Sequence, residues 1–279
     1  MQLKVIFYLF IGIVFLGSCN DNTDKSPTPK EEAQKDSIQL KEDAVTYSAG
    51  NTVMNGLVVY NENSSSPRPG ILVVHEWWGL NDYTKNRARQ LARMGYVAMA
   101  VDMFGNGQTA ANPDEAMKLA GAFYQDPSLT KTRLDAALAK LKSYSQTDTS
   151  KIAAIGYCYG GFVVLNAAKL GVDLDGVVSF HGGLAGVPAR KDLLKAKILV
   201  CHGEKDNFVP AAEVQAFKKS MDSISADYTF KTYPGATHAF TNPDATENGK
   251  KFNMPIEYNA AADSTSWNDM KDFFGKIFK

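Results

Sequence analysis

Cysteine is scarce in this sequence. The three residues present, Cys19, Cys158 and Cys201, are too few and too irregularly spaced for a disulfide framework. No CxxC pair and no HExxH segment occurs, which removes the usual zinc-ribbon and zincin signatures. Neither a metal nor any other cofactor is expected. An excess of charge of one sign is also missing, because 30 basic residues balance 30 acidic ones. That excludes the dominant basic surface of a nucleic-acid-binding protein, so nucleic acid is not an expected partner. The apolar run from Val5 to Leu16 falls short of the ~20 residues that span a bilayer as a helix. No internal repeat is present. What remains, 44% hydrophobic and 22% charged residues over 279 positions, is the composition of a globular protein.

Lys4 ahead of the Val5–Leu16 run fits the start of a secretory signal. The run ends Leu16-Gly17-Ser18-Cys19, which resembles a bacterial lipoprotein signal. That resemblance implies cleavage before Cys19, lipidation of Cys19 and firm attachment to a membrane by several chains. Residues 20–42 are polar, with two prolines and almost no apolar side chain before Ile38. Such a stretch cannot offset its ordering entropy by burial and reads as a tether. The expected organisation is a signal segment over 1–19, a tether over 20–42 and one domain over 43–279. The expected location is the periplasmic or cell-surface side of a bacterial membrane.

The domain alternates short apolar runs with helical patterns. Val53–Tyr60, Ile71–Val74, Tyr96–Val101, Ile152–Ile155, Val177–Phe180, Ile198–Cys201 and Tyr228–Tyr233 read as strands. Helices are predicted over Tyr83–Met94, around Leu134, Ala137, Leu138 and Leu141, over Phe162–Lys169, around Val214, Phe217 and Met221, and over Trp267–Phe278. Residues 248–258 read as a surface loop that rims the active site. Apolar strands alternating with helices argue for a mostly parallel sheet covered on both faces. In such sheets the working residues sit at the carboxyl ends of the strands.

Four strand ends carry chemistry. After Ile155 the chain reads Gly-Tyr-Cys-Tyr-Gly-Gly over 156–161, the G-x-S-x-G nucleophile elbow with Cys158 as nucleophile. A helix N-terminus behind that cysteine favours a thiolate; a buried structural cysteine is the bland alternative. After Cys201 comes Asp206, a carboxylate able to orient a histidine, and after Tyr233 comes His238. The order Cys, Asp, His is that of an α/β-hydrolase. After Val74 the chain reads His-Glu-Trp-Trp-Gly-Leu over 75–80. In this fold that loop and the residue after the nucleophile supply the oxyanion N–H groups, here Trp77 and Tyr159.

These four stretches, with His-Gly-Glu-Lys-Asp-Asn-Phe-Val-Pro at 202–210 and Gly-Ala-Thr-His-Ala-Phe at 235–240, resemble the dienelactone hydrolase family from about Val53 to Phe278. The resemblance implies an α/β-hydrolase fold and a hydrolase of small esters or lactones working through a thioacyl enzyme. It also implies that Glu76 contacts the resting thiol and helps form the thiolate once substrate binds. The sequence departs from the family at two arginines that hold the carboxylate of dienelactone. The segment after Val101 reads Asp-Met-Phe-Gly-Asn-Gly, without arginine, and the position four residues after His238 is Asn242. A neutral or differently oriented ester is the expected substrate. Trp77, Trp78, Phe104 and Phe240 are candidates to line the pocket, and His181, ending a strand, is another. His75 and His202 read as structural, and Cys201 as a buried small hydrophobe. The rival reading is a catalytically silent surface lipoprotein that binds a carbohydrate or a protein. A thiol redox protein is a third, though no second cysteine lies near Cys158 in sequence.

Overall fold

The computed structural model describes residues 38–279. The expected signal segment, Cys19 and most of the expected tether lie outside the described residues. The strands are β1 (Leu40–Ala49), β2 (Thr52–Asn61), β3 (Arg68–Val74), β4 (Val97–Val101), β5 (Thr147–Tyr157), β6 (Gly176–Phe180), β7 (Lys197–Gly203) and β8 (Tyr228–Tyr233). The helices are α1 (Asp82–Arg93), α2 (Pro113–Gln125), α3 (Ser128–Lys142), α4 (Tyr159–Lys169), α5 (Ala211–Ser223), α6 (Ala245–Phe252) and α7 (Ala260–Ile277).

The strands form one sheet in the order β1-β2-β4-β3-β5-β6-β7-β8. From β4 to β8 every pairing is parallel; β1 and β2 join as an antiparallel edge. Strand side chains alternate between faces, and both faces here are covered. Ile71 and Val73 pack with Leu91 of α1 and Phe274 of α7. Leu72 and Val74 pack with Leu134 and Leu141 of α3 and Val163 of α4. This explains why the central strands read as unbroken apolar runs.

Three elements were not expected. β1 begins at Leu40, inside the segment read as tether. Its sequence LKEDAVTYSA is polar because an edge strand buries little, and the hairpin to β2 turns at Gly50, whose φ is +59°. α2 is capped by Asn112, whose side chain accepts from the Glu115 N–H. α6 covers part of the stretch read as a loop, which continues only beyond Phe252. The closing helix also starts earlier than predicted, at Ala260, capped by Asn259.

The winding reverses at β3, which pairs with β4 on one side and β5 on the other. Open α/β sheets place their ligand crevice outside the strand ends at such a switch point.

Candidate active site

The chain turns sharply between β5 and α4. Cys158 takes φ +54° and ψ −114°, a left-handed conformation that side-chain-bearing residues rarely adopt. The turn requires glycine on both sides. A Cβ on Gly156 would run into the Gly160 carbonyl oxygen, and one on Gly160 into that of Val74. Cys158 is therefore lifted above the sheet at the head of α4. Tyr159 is the first residue of that helix, so its N–H has no partner within it.

β7 and β8 deliver the other two residues. Asp206 is 6% exposed, and its Oδ1 accepts from the Phe208 N–H at 2.9 Å. Its Oδ2 lies 2.9 Å from His238 Nδ1, and His238 Nε2 lies 3.0 Å from Cys158 Sγ. A carboxylate can only accept, so Nδ1 carries a proton toward Asp206 and Nε2 is the nitrogen that exchanges a proton with the thiol. Burial opposes charging of His238, but the Cys158 sulfur and the Asp206 carboxylate outweigh it and hold the imidazole well above its ordinary range.

Glu76 is fully buried at the end of β3, and burial pushes its carboxyl up to about 7. Its Oε2 accepts from Asn242 Nδ2 at 2.6 Å. Glu76 thus engages Asn242 where the resemblance implies contact with the thiol, and the thiol faces His238 instead.

A cavity of about 330 Å³ opens over Cys158. Its apolar lining comes from the loop after β3 (Trp77, Trp78), from α2 (Met117, Tyr124), from the loop after β7 (Phe208, Val209) and from the stretch after α6 (Met254, Ile256). No lysine or arginine lines it among the described residues, and Glu76 is its only acid. Of the expected pocket residues, Trp77 and Trp78 reach it. Phe104, His181 and Phe240 do not, and this corrects the expectation. Phe104 packs beneath the floor against His75 and Tyr159. Phe240 is fully buried between His181 and Tyr233. His181, also fully buried, bonds backbone and side chain behind the nucleophile.

His75 and His202 are packed residues. His75 Nε2 accepts from the Met103 N–H at 3.2 Å, and His202 packs on Phe230. Cys201 is fully buried, and burial pushes its thiol up to about 12. Met117 and Tyr124 were missed with their helix, although the Asn112-Pro113-Asp114-Glu115 start is a helix signal. Met254 and Ile256 follow α6 in a stretch whose side chains carry no periodicity. No group of three or more His, Cys, Asp or Glu positioned to hold a metal occurs among the described residues.

Residues 54–278 match the dienelactone hydrolase family. Protein usf of Aquifex pyrophilus is 33% identical over 185 residues, covering 62% of this chain and 77% of its own length. A protein of Aquifex aeolicus provisionally named a carboxymethylenebutenolidase is 33% identical over 179 residues, with the same shares covered. Among solved structures, a dienelactone hydrolase-like promiscuous phosphotriesterase from metagenomic libraries superposes with a TM-score of 0.81 at 33% identity, covering 85% of this chain and 98% of its own. The structure of m3DLH gives 0.82 at 30% identity, covering 86% and 99%. With its α/β-hydrolase sheet and this match over most of its length, the chain belongs to the dienelactone hydrolase family and is a hydrolase of the carboxylic-ester class.

Proposed function

We propose that the protein hydrolyses small uncharged esters or lactones with Cys158 as nucleophile, Asp206 and His238 completing the triad, and a thioacyl intermediate. The observation that carries this reading is the continuous line Asp206 Oδ2–His238–Cys158 Sγ, at 2.9 and 3.0 Å. His238 takes the thiol proton as Sγ attacks the carbonyl carbon. The N–H groups of Tyr159 and Trp77 are assigned to the resulting oxyanion, each worth ~3–4 kcal/mol by analogy with a studied protease. His238 then passes its proton to the departing alkoxide as the C–O bond breaks, leaving a thioester. A water gives a proton to His238 and attacks the thioester, and the thiol recovers the proton as the C–S bond breaks.

The cavity supports an uncharged substrate. Its lining is mostly apolar and carries no lysine or arginine, and a substrate carboxylate would meet Glu76. The Asn242 amide is already bonded to Glu76. A silent binding module would have no need for an aligned acid, base and thiol. For the full chain, export and attachment through lipid on Cys19 complete the proposal; it rests on the sequence pattern alone.

The test is turnover of paired p-nitrophenyl esters, butyrate and monosuccinate, by the wild-type protein and its variants. Butyrate should be the better substrate. Cys158→Ala should lose activity by about 10⁴-fold or more, and Asn242→Arg should narrow the gap between the two esters. Full turnover by Cys158→Ala would end the nucleophile assignment. A preference for the monosuccinate would end the substrate assignment alone.

A further inference from the structure

His181 lines no part of the cavity, yet it touches both ends of the reacting pair. It stands directly after β6, and its backbone takes φ +42°. Its Nδ1 accepts from the backbone N–H of Cys158 at 3.1 Å, a donor shared with the Phe180 carbonyl at 3.0 Å. An amide N–H can only donate, so Nδ1 is bare and the neutral ring carries its proton on Nε2. Nε2 therefore donates to Thr241 Oγ1, 2.7 Å away. Thr241 lies three residues beyond His238, and its hydroxyl also bonds the Tyr83 hydroxyl at 2.7 Å. Its carbonyl accepts from Arg87 Nη2 at 2.7 Å. The His181 ring also meets the His238 ring edge-on, with centroids 5.4 Å apart.

Three left-handed joints on side-chain-bearing residues lie at or beside the residues that meet this ring: Cys158 at φ +54°, His181 itself at +42°, and Ala239 at +59°, between His238 and Phe240. Such conformations persist only where the surroundings over-determine them. A histidine that merely filled the core would need no bond to the nucleophile's own N–H.

We infer that His181 is a positioning residue whose imidazole ties the backbone of Cys158 to the loop that carries His238, and so fixes the distance between sulfur and base. The tie works only with the neutral ring in one tautomer, because a proton on Nδ1 would break the bond to the elbow. It goes beyond the triad reading, since it assigns a task to a residue outside the triad and outside the cavity.

Two readouts test it. One is kcat and KM for p-nitrophenyl butyrate. The other is the pH profile of Cys158 alkylation by iodoacetamide, with Cys158→Ala giving the background; it needs no turnover. His181→Phe keeps the ring volume and loses both bonds. It should lower kcat by about a hundredfold with KM little changed, and shift the alkylation profile to higher pH. His181→Asn places a carbonyl oxygen where Nδ1 stood and tolerates φ > 0, so it should restore much of the alkylation profile. Thr241→Val cuts the far end of the tie, together with the bond to Tyr83, and leaves the bond from the Cys158 N–H to His181 in place. It should lower kcat by itself and add little on top of His181→Phe, and it serves as the primary variant if His181→Phe does not fold. Folded His181→Phe and Thr241→Val proteins with wild-type kcat and alkylation profile would overturn the inference. So would a fall in Tm alone. An unreactive Cys158 in the wild-type protein would instead remove the nucleophile reading beneath it.

Discussion

Glu76 shows how one buried side chain couples the site to stability. The folded protein holds a proton on this carboxyl up to about pH 7, whereas in the unfolded chain it is released near its ordinary value of ~4.5. Between those values the native state binds more protons than the unfolded one, so stability falls as pH rises through the window. Glu76→Gln keeps an acceptor for Asn242 and abolishes the titration. The stability of that variant relative to wild type should improve by about 3 kcal/mol between pH ~4.5 and ~8, read by urea unfolding at a series of pH values. A difference that stays flat with pH would show that the carboxyl ionises freely in the fold. At this scale the sequence was informative at the strand ends: Cys158, Asp206 and His238, read from three of them, stand within hydrogen-bond reach of one another. It marked Asn242 as a departure from the family but gave no sign of its bond to Glu76, because the two lie 166 positions apart.

At the scale of elements, what was legible depended on burial. The central strands announced themselves as apolar runs because both their faces are covered. β1 did not, since an edge strand can afford polar residues. α2 was missed despite its cap, and with it Met117 and Tyr124 on the cavity wall. The helix is held at its start by Asn112 Oδ1, which accepts from the Glu115 N–H at 3.0 Å, and by Glu115 Oε2, which accepts from the Ala111 N–H at 2.9 Å. Asn112→Ala should cost about 1 kcal/mol of stability and lower Tm by about 2–4 °C. It should also raise KM for p-nitrophenyl butyrate more than it lowers kcat, because the helix contributes to the wall and to no catalytic bond. Thermal melts and steady-state kinetics on the same preparation check both. A loss confined to kcat would separate α2 from substrate binding.

Across the whole molecule, one buried ion pair joins the two helices on the same face of the sheet. Arg87 of α1 is 7% exposed, and its Nη2 donates to Asp263 Oδ1 of α7 at 2.6 Å. The same nitrogen reaches the Thr241 carbonyl, so first helix, last helix and histidine loop share one guanidinium. Arg87→Met should destabilise by about 3–5 kcal/mol, since it strands a largely buried carboxylate. Adding Asp263→Asn should recover part of that loss in a denaturant titration; strict additivity of the two would mean that they are energetically independent.

The antiparallel edge has a consequence of its own. β1 runs against β2, and β2 against β4, so Leu40 lies at the end of the sheet where β4 begins. Cys158, Asp206 and His238, the proposed catalytic residues, lie where the parallel strands stop. Leu40 thus lies at one pole of the domain and the cavity over Cys158 at the other. An attachment made at Ile38 is therefore made at the end of the sheet remote from the cavity over Cys158.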